Sequence, residues 1–158
     1  DDLMEEATSE SLEVAARIEE DAVKILSSMP ELVKPEPKES ELFELALWEE
    51  TARRCVNCGI CTYLCPTCTC FDMMDEISEG CGTQSRCWDS CMFGLFTLHA
   101  SGHNPRPGGK ERVRQRFMHK LSYFPDLHDG VLSCVGCGRC VLYCPVNIDI
   151  REISRMMA

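Results

Sequence analysis

The sequence has no apolar stretch that approaches the roughly 20 residues a membrane-spanning helix requires. It is also poor in core-forming residues, because Leu, Ile, Val and Phe together account for only 36 of its 158 residues. That share lies close to the level at which chains cannot fold by burying apolar surface alone. We therefore expect no transmembrane segment, and we expect that something besides apolar burial constrains the fold.

Positive charge is scarce as well. Lys and Arg number 16 against 26 Asp and Glu, a net charge of −10, which argues against nucleic acid as a partner because phosphates need basic side chains opposite them. No glycine-rich phosphate loop or dinucleotide fingerprint is present, so the sequence shows no site for NAD or FAD. The first residues are acidic, unlike a secretory signal, and with thirteen cysteines they predict the reducing cytoplasm as the compartment.

Cysteine, by contrast, is abundant and is arranged as an internal repeat. Residues 55–66 read CVNCGICTYLCP and residues 134–145 read CVGCGRCVLYCP, 79 positions apart. Gly59 and Gly138 allow the backbone to bend inside each loop, and a proline turns the chain aside after the last cysteine. The spacing C-x2-C-x2-C-x3-C-P is typical of proteins that hold two [4Fe–4S] clusters.

The spacing also predicts which cysteines share a cluster. The first three of each motif reach one cube, whereas the fourth points away and ligates the other cluster. The predicted ligands are Cys55, Cys58, Cys61 and Cys144 for one cluster, and Cys134, Cys137, Cys140 and Cys65 for the second. Zinc usually takes four ligands as two separated pairs, and an odd number of cysteines does not suit a disulfide framework, so neither alternative accounts for this pattern.

Five further cysteines lie between the two motifs, namely Cys68, Cys70, Cys81, Cys87 and Cys91. Buried free cysteine would account for one or two of them. Five such residues beside two clusters instead predict a third [4Fe–4S] cluster, with four of these five as its ligands. Cys81, Cys87 and Cys91 are favoured, and either Cys70 or Cys68 completes the set. A zinc ion is the alternative occupant.

The first 50 residues form an acidic part of the chain, with 16 of the 26 acidic residues and only four basic ones. Apolar residues recur there at helical spacing between Ala15 and Met29, and Pro30 is expected to end this helix. Since such an apolar stripe needs to be buried somewhere, we interpret residues 1–50 as a helical arm that docks on a partner.

Residues 51–158 are then the cluster domain, with a cysteine-rich insertion at residues 67–100. Within the insertion we expect a helical turn at Phe71–Ile77, a loop around Gly80, and a further helix that starts at Cys87. The predicted fold class is therefore mainly α, with the N-terminal helical arm attached to a two-cluster domain.

Basic residues are concentrated between residues 110 and 120, where six bases, His included, face one acid. Cubanes with four thiolates are net anionic, so we expect these cations to offset cluster charge or to pair with the acidic arm. The two motifs also differ in charge, since Ile60 in the first corresponds to Arg139 in the second. A neighbouring cation stabilises a reduced cluster, so Arg139 is predicted to raise the potential of the cluster bound by Cys134.

Several stretches together resemble a known family. The string from Cys55 to Cys70, the segment 88–91 (WDSC), residues 102–107 (GHNPRP) and the second motif look like the dicluster domain of sulfhydrogenase beta subunits, and the corresponding iron–sulfur protein of anaerobic sulfite reductase is similar. The resemblance covers roughly residues 50–150. It implies a helical two-cluster ferredoxin fold, like that of the dicluster protein of heterodisulfide reductase, and a role in electron transfer.

The chain departs from this family in two respects. The related subunits carry a large N-terminal domain with its own cluster, which is not seen in this sequence, and Cys81 and Cys87 have no counterpart in the family pattern. A short member with three clusters looks most like the small iron–sulfur subunit of the tungsten-dependent benzoyl-CoA reductase complex. That narrower resemblance implies anaerobic metabolism.

These observations predict an electron-transfer subunit of a cytoplasmic multi-subunit oxidoreductase, without a catalytic site of its own. The implied partners are a catalytic subunit of the tungsten- or molybdenum-pterin or hydrogenase type, and a flavin or other iron–sulfur subunit. Two alternatives are a scaffold whose clusters only brace the fold, and an enzyme that binds substrate at an open iron of one cluster.

Overall fold

The computed structural model describes residues 6–29 and 31–158, which divide into two units, Asp1–Glu31 and Leu32–Ala158. In the first unit, helix α1 spans Ser9–Ser27, and the Thr8 side chain caps it by accepting a hydrogen bond from the backbone of Ser11. None of its residues is buried within the chain. The predicted helix end at Pro30 lies outside the described residues.

The second unit contains short helices, one hairpin and one longer, interrupted helix. Its elements are α2 (Glu39–Phe43), α3 (Leu47–Arg54), α4 (Ile60–Tyr63), β1 (Phe71–Ser78), β2 (Cys81–Trp88), α5 (Gly109–Met118), a π-helical segment (His119–Tyr123), α6 (Phe124–Leu127), α7 (Arg139–Leu142) and α8 (Ile150–Met157). Among the described helices, none combines the length and the apolar character that a membrane crossing requires.

A small apolar core holds the second unit together. It consists of Leu42, Leu47, Trp48, Met92, Val113, Phe117, Met118, Leu121, Ile150, Ile153 and Met157. At its centre, the Trp48 ring stacks on Phe117 with ring centroids 6.3 Å apart, and its indole N–H donates to the carbonyl of Leu42 at 2.7 Å. Residues 39–50 thus pack in the same unit as the two cysteine motifs.

The two cysteine motifs adopt the same backbone conformation. Gly59 and Gly138 have φ values of +74° and +71°, and each is followed by a one-turn helix, α4 or α7. Two positions earlier, Asn57 and Gly136 also have positive φ, at 53° and 66°. Because α4 and α7 contact one another, the internal repeat places its two loops side by side.

The predicted mainly α fold class is wrong. About 44% of the described residues are helical, but 11% are in strands, since Phe71–Ser78 and Cys81–Trp88 pair as an antiparallel hairpin instead of forming a helical turn and the start of a helix. The turn consists of Glu79 and Gly80, both with positive φ (50° and 80°). A two-residue loop of this kind matches the twist of paired strands and overrides the helix propensity of the Met and Glu residues.

One testable consequence concerns the start of α8, where the Asp149 side chain accepts a hydrogen bond from the Arg151 backbone at 2.8 Å. The hydrogen bond with the Arg151 side chain lowers the pKa of Asp149, so this carboxylate contributes stability at neutral pH that is lost as the pH falls through the lowered pKa. We expect Asp149→Ala to reduce the free energy of unfolding by about 1 kcal/mol.

Asp149→Asn is the matched variant, because Asn caps helices as well as Asp does but cannot form the ion pair. Asp149→Asn should retain most of the free energy of unfolding at pH 7. It should lack the fall in stability that protonation of Asp149 causes in the wild type as the pH decreases. Anaerobic urea unfolding followed by circular dichroism measures both effects. Equal urea midpoints for wild type and Asp149→Ala would contradict the assignment of Asp149 as the residue that caps α8.

Candidate metal centre

The first predicted ligand set lies around one cavity. Cys55, Cys58, Cys61 and Cys144 all line it, together with Cys140 from the second motif. The space between these residues, counted together with the solvent at its open mouth, is about 490 Å³. Three thiols come from the end of α3, the loop before α4 and α4 itself, and the fourth follows α7, so the cavity brings Cys144 beside the first motif.

Backbone N–H groups point at two of these sulfurs. Asn57 donates to the Cys55 Sγ at 3.4 Å, and Ile148 donates to the Cys144 Sγ at 3.2 Å. Each donor follows from the tight local turn, since Asn57 itself and Asn147, which precedes Ile148, have positive φ. Hydrogen bonds of this kind favour the thiolate form and tune the potential of a bound cluster.

In the second set, Cys140 lies near enough to Cys134 and Cys65 that, after burial, their charges add to the rise in its pKa. Thr67 connects the two motifs here, because its hydroxyl donates to the Ser133 carbonyl at 3.0 Å and lies 3.2 Å from the Cys65 Sγ. The remaining predicted ligand, Cys137, is exposed. Among residues 6–29 and 31–158, no three His, Cys, Asp or Glu side chains are grouped as for a single metal ion.

Two buried cations lie between the motifs. Arg116 of α5 lines the first cavity and is 5% exposed, and Lys120 of the π-helical segment is 3% exposed. Burial opposes the charged form of Arg116, but the thiols of Cys61, Cys140 and Cys68 outweigh this and raise its pKa. Conversely, burial raises the pKa of Cys61 while the neighbouring Arg116 opposes that rise.

These cations test whether the residues fit an anionic cluster. No carboxylate of the described residues forms a salt bridge with Arg116 or Lys120, and the buried Arg116 Nε has no hydrogen-bond partner. A buried charge without a counter-ion costs several kcal/mol. A cubane with four thiolates carries negative charge, so it would serve as that counter-ion. The thiol donors, the cavity and a guanidinium without a carboxylate partner therefore fit iron–sulfur clusters.

The five other cysteines separate into two locations. Cys68 and Cys70 lie at the base of the hairpin, as does the buried Cys91. A hydrogen bond from Cys91 lowers the pKa of Cys70 to about 6, and one from Cys68 lowers the pKa of Cys65 to about 4. Each donor thiol has a raised pKa because it retains the shared proton.

Cys87 and Cys81 occupy opposite ends of β2. Cys87 lies opposite Asp72 near the hairpin base, and Cys81 lies opposite Ser78 beside the turn. Six residues of extended chain separate them, which corresponds to roughly 20 Å. The structure therefore brings Cys87 toward the other thiols and leaves Cys81 apart.

Arg139, the predicted potential-tuning residue, is exposed and donates to the Leu64 carbonyl in the other motif at 3.4 Å. Its effect on potential stays a prediction. The sequence had indicated that bases within residues 110–120 offset cluster charge, but it did not single out Arg116 and Lys120. Their spacing was a usable signal, since both lie on the apolar stripe formed by Val113, Phe117 and Leu121.

Comparison with known proteins agrees with this geometry. A family model described as a 4Fe-4S dicluster domain matches residues 54–148, which include both motifs. The chain belongs to this family. Two [4Fe–4S] clusters are thus supported for this 4Fe-4S dicluster protein, whereas the family gives no support for a third.

Sulfhydrogenase 2 subunit beta from Pyrococcus furiosus is similar to the dicluster chain, with 37% identity over 108 residues. The match covers 68% of the chain but only 31% of that protein, so the chain spans less than a third of this relative. The sequence-based resemblance to the dicluster domain of sulfhydrogenase beta subunits is confirmed. No solved structure matches the chain.

The two motif glycines give a matched test of the first site. Both have positive φ, but a Cβ on Gly59 would lie 2.9 Å from the Phe93 ring, whereas nothing lies within 4 Å of one on Gly138. Gly138→Ala should therefore cost only the left-handed strain of about 1–2 kcal/mol. Gly59→Ala adds a steric clash, so it should lose more iron during anaerobic gel filtration.

Iron content per chain measures the difference between the two variants. Phe93→Ala combined with Gly59→Ala should restore the iron content toward that of Gly138→Ala. Equal iron loss in the two single variants would show that the contact between Gly59 and Phe93 does not matter.

Proposed function

We propose that this chain is an electron-transfer subunit in which Cys55, Cys58, Cys61 and Cys144 hold one [4Fe–4S] cluster and Cys134, Cys137, Cys140 and Cys65 hold the other. Each cluster, when bound, supplies one-electron chemistry. The observation that supports this proposal best is the cavity that joins three cysteines of the first motif to Cys144 of the second. Crossed ligation of this kind keeps two clusters close together.

The protein residues contribute position, insulation and charge. The loops of both motifs fix the thiols, the core around Trp48 and Phe117 covers one side of the first cavity, and backbone N–H groups donate to the Cys55 and Cys144 sulfurs.

We further propose that the electrons pass between a catalytic subunit, of the hydrogenase or tungsten- or molybdenum-pterin type, and a flavin or other iron–sulfur subunit. The name of the Pyrococcus relative, a subunit beta, supports membership of a multi-subunit oxidoreductase. A benzoyl-CoA reductase complex of anaerobic metabolism remains the narrower proposal. Thirteen free thiols support a reducing compartment such as the cytoplasm.

Helix α1 is the proposed docking element of residues 1–50. Its apolar side chains, among them Ile18, Ile25 and Leu26, are 60–64% exposed, and an apolar helix stripe is stabilised by burial on another surface. Deletion of residues 1–28 should leave the cluster content unchanged but abolish co-purification with partner subunits from the native cell. Retention of the partners would contradict a docking role.

A third cluster, held by Cys68, Cys70, Cys87 and Cys91, is the finer proposal. The contact between Cys70 and Cys91 and the position of Cys87 opposite Asp72 near the hairpin base support this set. Cys70 directly precedes β1, and its carbonyl accepts a hydrogen bond from the Asp89 backbone at 3.1 Å, just beyond the end of β2. Cys81 is the spare thiol in this arrangement, since it lies beside the turn.

Iron analysis of anaerobically purified protein separates these proposals. Two clusters require about eight iron and eight sulfide per chain, and three require about twelve. Cys87→Ala should remove about four iron and Cys81→Ala none. A wild-type content near eight that is unchanged in Cys87→Ala would refute the third cluster and leave the first two intact.

Redox titration of the same preparation tests the electron-transfer role. The chain should accept and return about one electron per cluster with low-potential dyes and show no turnover of substrate on its own. Clusters that resist reduction by strong reductants, in a chain that still assembles with its partners, would instead establish a structural scaffold.

A further inference from the structure

The interrupted helix from Gly109 to Leu127 crosses between the two cysteine motifs with two buried cations on one side. Arg116 and Lys120 are four residues apart, so they lie one above the other on the same helix face. A π-helical segment begins at His119, and such segments are frequent at functional sites because they displace the side chains that follow. The side-chain ends of Arg116 and Lys120 therefore contact different residues, although both leave the same face of the helix.

Arg116 lies where the two motifs meet. It lines the cavity that contains four first-set thiols and also Cys140 of the second set. It is 5% exposed, and its buried Nε has no hydrogen-bond partner. The planar guanidinium has five N–H donors in a fixed fork, so one side chain can face both Cys61 and Cys140.

Lys120 lies on the other side of the second set. Its ammonium donates to the Thr67 hydroxyl at 2.8 Å and to the Ser133 carbonyl at 3.2 Å. Thr67 follows the first motif and lies 3.2 Å from the Cys65 Sγ, whereas Ser133 directly precedes Cys134. Lys120 does not line the first cavity, and the motif cysteine that it approaches through Thr67 is Cys65 of the second set.

We propose that Arg116 is a counter-ion shared by the two clusters of the cysteine motifs, and that Lys120 is a counter-ion of only the second of these two. The inference rests on the ligand sets proposed above. Because a buried cation interacts with a cluster through a medium of low dielectric constant, it stabilises the reduced form more than an exposed one such as Arg139. Arg116 then raises the midpoint potentials of both clusters, whereas Lys120 raises that of the second and so separates the two values.

The test compares the midpoint potentials of holoprotein variants by anaerobic redox titration with electron paramagnetic resonance. Arg116→Gln should lower both midpoints, with at least about a tenfold fall in the reduced-to-oxidised ratio of each cluster at fixed potential. Lys120→Gln should lower only one midpoint. The reduced-to-oxidised ratio of that cluster should fall by a similar factor, and the ratio of the other cluster should stay within about threefold of its wild-type value. Arg116→Lys keeps the charge and should restore most of the ratio for both clusters.

Arg114→Gln is the matched control, since Arg114 lies on the same helix but stacks over the Phe43 ring at 3.4 Å and donates to the Phe43 carbonyl. It should leave both midpoints unchanged. A shift of only one midpoint in Arg116→Gln, or of neither, would overturn the shared role. A shift of both midpoints in Lys120→Gln would overturn the assignment of that residue to one cluster.

Iron content keeps these outcomes distinct. If wild-type protein lacks two cubanes, the proposed function itself fails, whatever the variants do. If Arg116→Gln does not retain its clusters, Arg116→Lys decides the question: retained clusters with both midpoints near those of wild type support a counter-ion, and lost clusters show that the residue acts through packing instead.

Discussion

Burial of negative charge is the constraint on which this structure depends. Four motif cysteines, Cys55, Cys61, Cys134 and Cys140, pack against a core of eleven buried apolar side chains in the described part of the chain, and cubanes bound by thiolates add negative charge to that interior. Two buried cations from one helix, Arg116 and Lys120, face these thiols and lack carboxylate partners among the described residues. Metal binding is therefore coupled to folding, because the bound clusters stabilise the fold that positions their ligands.

The internal repeat shows how a short chain positions two sites. A positive-φ glycine and a one-turn helix recur in each motif, at Gly59 and at Gly138, and contact between the turns places the fourth cysteine of one motif beside the other. The interrupted helix then crosses this junction. Two clusters that share a buried cation, as proposed, differ from two independent sites, because an electron that enters one cluster changes the charge that acts on the other.

Much of the candidate site could be predicted from the sequence, because ligand spacing is a local property of the chain. The hairpin could not be predicted from composition: Met73, Met74 and Glu76 favour a helix, whereas the paired turn at Glu79–Gly80 decides the outcome. Gly80 was the available signal in the sequence, since glycine readily takes the positive φ that two-residue hairpin loops require. Which basic side chains are buried depends on tertiary packing, so Arg116 was not singled out from the sequence, although its place on the apolar stripe of the helix was a usable signal.

Low-temperature electron paramagnetic resonance of the fully reduced protein tests the central claim most directly. The proposed crossed ligation by Cys65 and Cys144 requires the two clusters to lie close together, so we predict a spectrum broadened and split by interaction between two cluster spins, which simplifies when only one cluster is reduced. Two independent signals at every stage of reduction, or a protein that contains zinc and gives no signal, would contradict it.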